Sequence, residues 1–198
     1  MSTIHISIPN WLDRIFTWPL MLYRRRKYGY AYRRIYLGEG EWTTVEPADF
    51  YRLGHFKWHV EGNGKRLYAV RDVKTGPGLT KLLSLHREIM NQPKGFLVDH
   101  KNCNPLDNRR ANLRLATRSQ NCRNVPKRKN TSSRFIGVSF HIIYKKWCAY
   151  IHHNRKKISL GYFDNEIDAA KARDIAAKKY HGEFARLNFP ETRTDTDF

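Results

Sequence analysis

The sequence predicts an α+β protein: a β-rich N-terminal segment, a strand–loop–strand–helix centre, then a three-stranded antiparallel sheet packed on one helix. Three observations predict it. Short alternating apolar runs are separated by Gly, Pro and Asn turns, which reads as small sheets rather than a helical bundle. A Thr-x-x-Gln sequence at Thr117–Gln120 follows a short strand-like run and announces a helix. Near the C-terminus Ala169, Ala172, Ala176 and Tyr180 recur at helical spacing, and small residues let a helix lie close on a sheet.

The elements follow in order. The apolar run 15–23 is preceded by Asp13 and Arg14 and followed by Arg24, Arg25, Arg26 and Lys27. It is far short of the ~20 residues that span a bilayer, and its basic residues follow rather than precede it, unlike a signal peptide. It reads as a short amphipathic element whose basic end either touches phosphate or forms a solvated face. Residues 32–37 and 42–45 read as strands around a Gly-rich turn, and Pro47 opens a short helix over 47–53. Residues 57–60 and 66–70 flank Glu61-Gly62-Asn63-Gly64, a hairpin signal. A loop at 74–78 precedes an apolar segment, 82–90, that reads as helix or strand. Residues 97–100 form a strand ending in Asp99 and His100, 101–112 a polar loop rich in Asn, and 113–116 a returning strand. Strand-like runs at 135–140, 146–152 and 157–160 lead to a helix over 165–180, capped by Asp164 or Asn165 and ended at Gly182.

Composition narrows the partners. The 198 residues carry 37 Lys and Arg against 18 Asp and Glu, a net charge of +19, with 40% hydrophobic and 13% aromatic residues. That is enough to bury cores, and the charge calls for a polyanion, nucleic acid before a membrane surface. Three cysteines, Cys103, Cys122 and Cys148, exclude a disulfide framework and a four-cysteine zinc site, and fit a reducing compartment.

Chemistry concentrates in Asp99, His100, Asn112 and Asn121, which two strands and a capped helix would bring together. Asp99 and Asn121 offer oxygens suited to a hard divalent ion such as magnesium. His100, beside the ion, can deprotonate water near neutral pH. Asn112 can accept a hydrogen bond from the far imidazole nitrogen and so fix the tautomer. The alternative is that Asp99 and His100 form a surface ion pair and the Asn residues only make turns.

Val98-Asp99-His100-Lys101-Asn102, Leu106-Asp107-Asn108-Arg109, Ala111-Asn112-Leu113-Arg114 and Thr117 to Asn121 resemble the HNH nuclease motif, the ββα-metal site of many phage and mobile-intron endonucleases. The resemblance covers about residues 80–125. It implies that Asp99 and Asn121 are metal ligands, His100 the general base and Asn112 its orienter. His often stands where this chain has Asn121. Asn108 would stabilise the loop, Arg109 and Arg110 would hold phosphate, and His86 would be structural or touch substrate. Residues 30–75 resemble, more weakly, the segment that precedes such sites.

Residues 133–190 resemble the plant APETALA / ethylene-response-factor DNA-binding domain. The residues are Arg134-Phe135-Ile136-Gly137-Val138, Lys146-Trp147-Cys148-Ala149, Leu160-Gly161-Tyr162-Phe163, Ala169-Ala170-Lys171-Ala172-Arg173-Asp174 and Ala185-Arg186-Leu187-Asn188-Phe189-Pro190. That family lays a three-stranded sheet in the major groove. The implied contacts are Arg134, Ser139, His141, Lys145, Lys146, Trp147, Tyr150, His152, Arg155 and Lys157, Trp147 being a packing residue or a contact.

The domains expected are therefore an N-terminal basic segment (1–29), a β-rich unit (30–78), a nuclease core (79–125), a basic linker (126–133), a DNA-binding domain (134–190) and a tail (191–198). The function expected is a metal-dependent DNA endonuclease of homing or site-preferring type, using one magnesium or manganese ion and no small-molecule cofactor. It would work as a monomer or weak dimer in the cytoplasm of a phage host or bacterium, with double-stranded DNA and no membrane as partner. The alternative is a DNA-binding transcriptional regulator with an inactive nuclease core.

Overall fold

The computed structural model describes residues 9–64, 66–124 and 131–190, so most of the expected linker and the tail lie outside the described residues. The chain forms two compact units, Met1–Leu115 and Ala116–Phe198. It is a mixed α/β protein of small sheets with a helix near its C-terminus.

The first unit opens with α1 (Asn10–Tyr28), which ends where Gly29 turns left-handed at φ 77° and donates to the Arg25 carbonyl. The helix presents its polar side to the body. The Asp13 carboxylate accepts from Arg33 at 2.9 Å and from the Tyr51 hydroxyl at 2.8 Å. Trp11, Ile15, Phe16 and Trp18 stay exposed. Strands β1 (Arg33–Gly38) and β2 (Glu41–Val45) form the first hairpin. Helix α2 (Pro47–Leu53) follows with Pro in its first turn, where the missing N–H costs nothing.

Strands β3 (His59–Asn63), β4 (Arg66–Gly76) and β5 (Leu79–Ser84) make a three-stranded antiparallel sheet with β4 central. The loop expected at 74–78 shrinks to a tight reversal with Gly78 at φ 70°. The ambiguous segment 82–90 divides between β5 and helix α3 (Leu85–Ile89). Ile35, Leu37, Val45, Leu53, Trp58, Ala69, Leu85, Ile89, Val98 and Leu113 form one buried cluster. The segments 30–78 and 79–115 thus share a core, because neither has enough apolar surface to close one alone.

Strand β6 (Leu97–His100) pairs with β7 (Leu113–Ala116), and a 3-10 turn at Arg110–Asn112 ends the loop between them.

In the second unit the expected capping box holds. Thr117 Oγ1 accepts from Gln120 N and the Gln120 side chain from Thr117 N, opening α4 (Arg118–Asn121). Strands β8 (Val138–His141), β9 (Lys146–His153) and β10 (Lys156–Phe163) form an antiparallel sheet with β9 central. The strand expected at 135–140 starts later because Gly137 sits at φ 71°, where a Cβ would lie 2.6 Å from the Tyr150 carbonyl oxygen. Helix α5 (Glu166–His181) is capped by Asn165, whose side chain accepts from Asp168 N at 2.8 Å. Val138, Ala149, Ala169 and Ala170 form one core cluster, and Ile151, Ala176 and Ala177 another. Between those alanines α5 buries Arg173 and Asp174. Asp174 receives the Asn188 and Phe189 amides at 2.7 and 2.9 Å and so ties the segment after α5 to the helix.

Candidate active site

Strand β6 delivers Val98, Asp99 and His100 in a buried state. The His100 ring meets Asn108, His86 and Tyr68. Its Nε2 lies 3.1 Å from Asn108 Oδ1, His86 packs edge-on at 5.1 Å between centroids, and Tyr68 stands at 6.4 Å. The hydrogen-bond pattern sets the tautomer. Asn108 Nδ2 donates to Thr43 Oγ1 at 2.7 Å and to the Pro105 carbonyl at 3.2 Å. A carbonyl can only accept, so the Asn108 oxygen is the atom that faces His100, and Nε2 carries the proton. The basic lone pair is then on Nδ1. Burial lowers the His100 pKa from its ordinary value, against the opposing pull of Asn108, Asp99 and Asp107, so the ring is neutral at pH 7.

Asn112 does not perform the orienting role expected of it. Its Oδ1 accepts from Asn102 N at 3.0 Å, and its Nδ2 donates to Asn102 Oδ1 at 2.9 Å and to the Asp107 carbonyl at 2.8 Å. It cross-braces the 101–112 loop, and Asn108 holds the ring. The register explains the exchange: Asn112 ends the loop beside Lys101, whose N–H donates to the Asn112 carbonyl at 2.9 Å, so its side chain spans the loop neck.

The loop is also fastened from outside. Thr44 N donates to Leu106 O and Asn108 N to Thr44 O, each at 2.8 Å, while Thr43 Oγ1 donates to Leu106 O at 2.8 Å. The β1–β2 hairpin is therefore the anchor of the site loop. No local pattern signals this, since Asn108 and Thr43 are 65 residues apart.

Asp99 pairs with Arg114, Nε at 2.8 Å and Nη2 at 2.7 Å, both on Oδ2, a partner the sequence reading missed. Asn121 closes α4 in the second unit. The Asp99 carboxylate and the Asn121 amide are each oxygen donors of the kind a hard cation takes. Among the described residues no three His, Cys, Asp or Glu side chains group to hold a metal ion.

Arg109 and Arg110, expected at phosphate, are both committed to carboxylates. Arg109 forks onto Asp107 at 2.7 and 2.6 Å and lies over the Tyr30 ring. Burial pushes the Asp107 carboxyl up, but Arg109 and Asn102 outweigh it and hold it below its ordinary value. Arg110 forks onto the buried Asp49 at 2.8 Å while keeping about half its surface open, 46%. His86 is 6% exposed, and burial, with His100 and Arg87 nearby, lowers its pKa to about 3.

In the second unit the expected contact residues sort by sheet face. Ala149 and Ile151 of β9 are buried in the clusters that include the α5 alanines. Strand alternation puts Lys146, Cys148, Tyr150 and His152 on the opposite face. Their register partners Ser139, His141, Lys157, Ser159 and Tyr162 share it. No Asp or Glu stands among these nine. Lys157 lies over the Tyr150 ring at 4.1 Å. Lys145 and Arg155 occupy the hairpin turns at φ 49° and 64°, and Arg134 pairs at 3.6 Å with Glu166. Trp147 is the exception: it faces the helix side, packed on the core and on Phe140 at 5.1 Å.

A neutral, strand-held imidazole beside a carboxylate is the equipment of a hydrolase that works through a general base. The description HNH endonuclease matches residues 91–123, which span β6, the loop, β7 and α4. The chain is 31% identical over 157 residues to an uncharacterized HNH endonuclease of Acanthamoeba polyphaga mimivirus, with 76% of each chain covered. No solved structure matches it. The chain belongs to the HNH endonuclease family, enzymes that cleave DNA and generally use a divalent metal.

Proposed function

We propose that the chain is a metal-dependent, site-preferring DNA endonuclease of homing type, carried by a phage or mobile element and acting on DNA in the host cytoplasm. The observation that carries the catalytic part is the His100 ring, neutral by burial and fixed by Asn108 with Nδ1 as its basic nitrogen. In this reading His100 takes a proton from the attacking water. Asp99 and Asn121 hold one divalent ion, magnesium or manganese. The ion, when bound, stabilises charge on the scissile phosphate and leaving oxygen. Arg114 holds the Asp99 carboxylate in one orientation. Asn112 contributes by keeping the loop closed.

The helix-free face of the β8–β10 sheet is the duplex-binding surface in this reading. It gathers basic and hydrogen-bonding side chains without an acidic one, as phosphate neutralisation and groove contact require. Tethering the cutting centre to a bound module raises its effective concentration at one locus. No helix among the described residues is long and apolar enough to cross a membrane.

The test is nicking of supercoiled plasmid with magnesium. Wild type should cut, and His100→Ala should lose cutting while binding duplex DNA as before. Equal cutting by the two proteins would overturn the catalytic assignment. Unchanged DNA affinity in a Tyr150→Ala, Lys157→Ala double variant would overturn the assignment of the sheet face.

A further inference from the structure

The turn joining β8 to β9, residues 142–145, breaks the local rules of turn chemistry. Such loops favour Gly, Asn, Asp, Pro or Ser, for left-handed backbone or side-chain hydrogen bonds. This one reads Ile142-Ile143-Tyr144-Lys145 and contains none of them. Lys145 takes the left-handed position itself, at φ 49°. Ile142 and Ile143 are 82% and 83% exposed, the most exposed large hydrophobic residues among those described. A sequence that sets two β-branched apolar residues on a turn, where they bury nothing, departs from its own folding interest. Such departures mark function.

The surroundings identify the occupant. The tip is rigid at its base, where His141 stacks on Tyr144 at 4.5 Å and both meet the Tyr162 ring, at 5.6 and 5.1 Å. His141 and Tyr162 belong to the helix-free sheet face, so the tip continues that surface beyond the sheet edge. Lys145 and Lys146 follow the isoleucines, and among the described residues the acidic pairing at this tip is Lys146 with Asp164 at 3.2 Å. A rigid apolar point set in cationic surroundings suits a polyanion with an apolar interior, which is stacked duplex DNA. Side chains such as Ile inserted at a base step unstack it and kink the helix. A second copy of this basic chain would bring lysines against lysines.

We propose that Ile142 and Ile143 form a wedge that enters the duplex at a base step while the sheet face holds the backbone. The inference rests on the reading of that face as the DNA-binding surface. A wedge favours flexible pyrimidine–purine steps, so it supplies site preference without base hydrogen bonds.

The test uses the full chain in EDTA, so that DNA is bound and not cut, and a target fragment found by footprinting. The fragment carries 2-aminopurine at successive steps and a dye pair at its ends. Wild type should raise 2-aminopurine emission at one step several-fold and bring the dyes closer. The double variant Ile142→Ser, Ile143→Ser lies on an exposed turn and should keep the fold by circular dichroism. It should lose both signals and about tenfold in affinity, whereas Ile142→Leu, Ile143→Leu should keep them. Wild-type signals in the serine variant overturn the wedge. Loss of affinity in the serine variant with no unstacking signal in wild type makes the tip a surface contact only, and also overturns it. A serine variant that changes only the sedimentation coefficient assigns the tip to self-association instead. Failure of the underlying reading is separate: the Tyr150→Ala, Lys157→Ala variant would then bind DNA as wild type does.

Discussion

Replacing Asn108 by Ala tests how the His100 ring is held. The side chain is fully buried and makes three hydrogen bonds, to His100 at 3.1 Å, Thr43 at 2.7 Å and Pro105 at 3.2 Å. At about 1 kcal/mol net for each bond the loss is ~3 kcal/mol. Thr43 keeps its bond to Leu106, but His100 Nε2 loses its acceptor and the Pro105 carbonyl one donor. A buried group left unsatisfied adds about 1 kcal/mol or more, giving ~4 kcal/mol in all, a large share of a typical 5–15 kcal/mol stability. Activity must therefore be read per folded molecule. Urea unfolding gives the folded fraction, and single-turnover plasmid nicking at saturating enzyme gives the rate. With the ring free to turn, the rate per folded molecule should fall roughly 100-fold, the usual scale for a reacting group misplaced by about 1 Å. Asn112→Ala also loses three bonds, none of them to the ring, so it should unfold more easily and cut at a rate much closer to wild type. An Asn108→Ala enzyme that cuts normally per folded molecule, or an Asn112→Ala enzyme that falls equally far, would refute the assignment.

Two further outcomes follow from burial, and one from the donor set. The His86 pKa is about 3 folded against an ordinary 6.5. The stability that its neutral burial confers is thus complete above pH 6.5 and declines as pH drops toward 3, by up to ~1.4 kcal/mol per pH unit. His100 and His181 are lowered too, so His86→Phe should flatten the slope of unfolding free energy between pH 6.5 and 4.5 without abolishing it. Asp174→Ala should cost ~3–4 kcal/mol, from four hydrogen bonds at about 1 kcal/mol each, one from Arg173, two from Asn188 and one from Phe189, and hydrogen exchange should quicken at the Asn188 and Phe189 amides. Cutting should stop in EDTA and return with added magnesium, whereas DNA binding, measured by gel shift at fixed salt, should persist in EDTA.

What was legible in the sequence is what short-range chemistry decides. The Thr117 capping box, the Asn165 cap and the Asp99–His100 strand end each need only neighbours within a few residues. The partner of His100 was not legible. Asn108 and Asn112 are the same residue type at the same end of one loop, and which one reaches the ring depends on the strand register and on Thr43. The carboxylate partners of Arg109 and Arg110 were not legible for a related reason. A basic pair beside a catalytic loop looks available for phosphate until the fold brings Asp49 beneath Arg110 and turns Arg109 back onto Asp107. The partners of Arg173 and Asp174 on α5 were not legible either, because Arg186, Asn188 and Phe189 reach them only once the chain folds back on the helix.

The Asn-rich character of the 101–112 loop follows from how it must be held. It holds the buried His100 ring at the end of β6, yet few of its described residues pack in a hydrophobic cluster, Leu106 being partly buried against one. Apolar packing alone could let the loop slide by fractions of an ångström, because it is non-directional. Hydrogen bonds fix orientation, and this loop is bounded by them on each side. Asn112 closes its neck, Asn102 and Asn104 shape its turn, and Thr43 and Thr44 pin its middle to β2. The cost is sensitivity, since a buried polar network missing one member is worse than none. That explains why a hairpin with no catalytic side chain of its own belongs to the nuclease unit. Substituting Thr43 by Val keeps the shape but removes the hydroxyl. The hydroxyl's bonds to Leu106 and Asn108 would be lost, and both partners are deep in the network. The rate per folded molecule should then fall in the manner of Asn108→Ala, at a position far from any reacting atom. A Thr43→Val enzyme of normal rate would mean that the loop is held by its own neck alone.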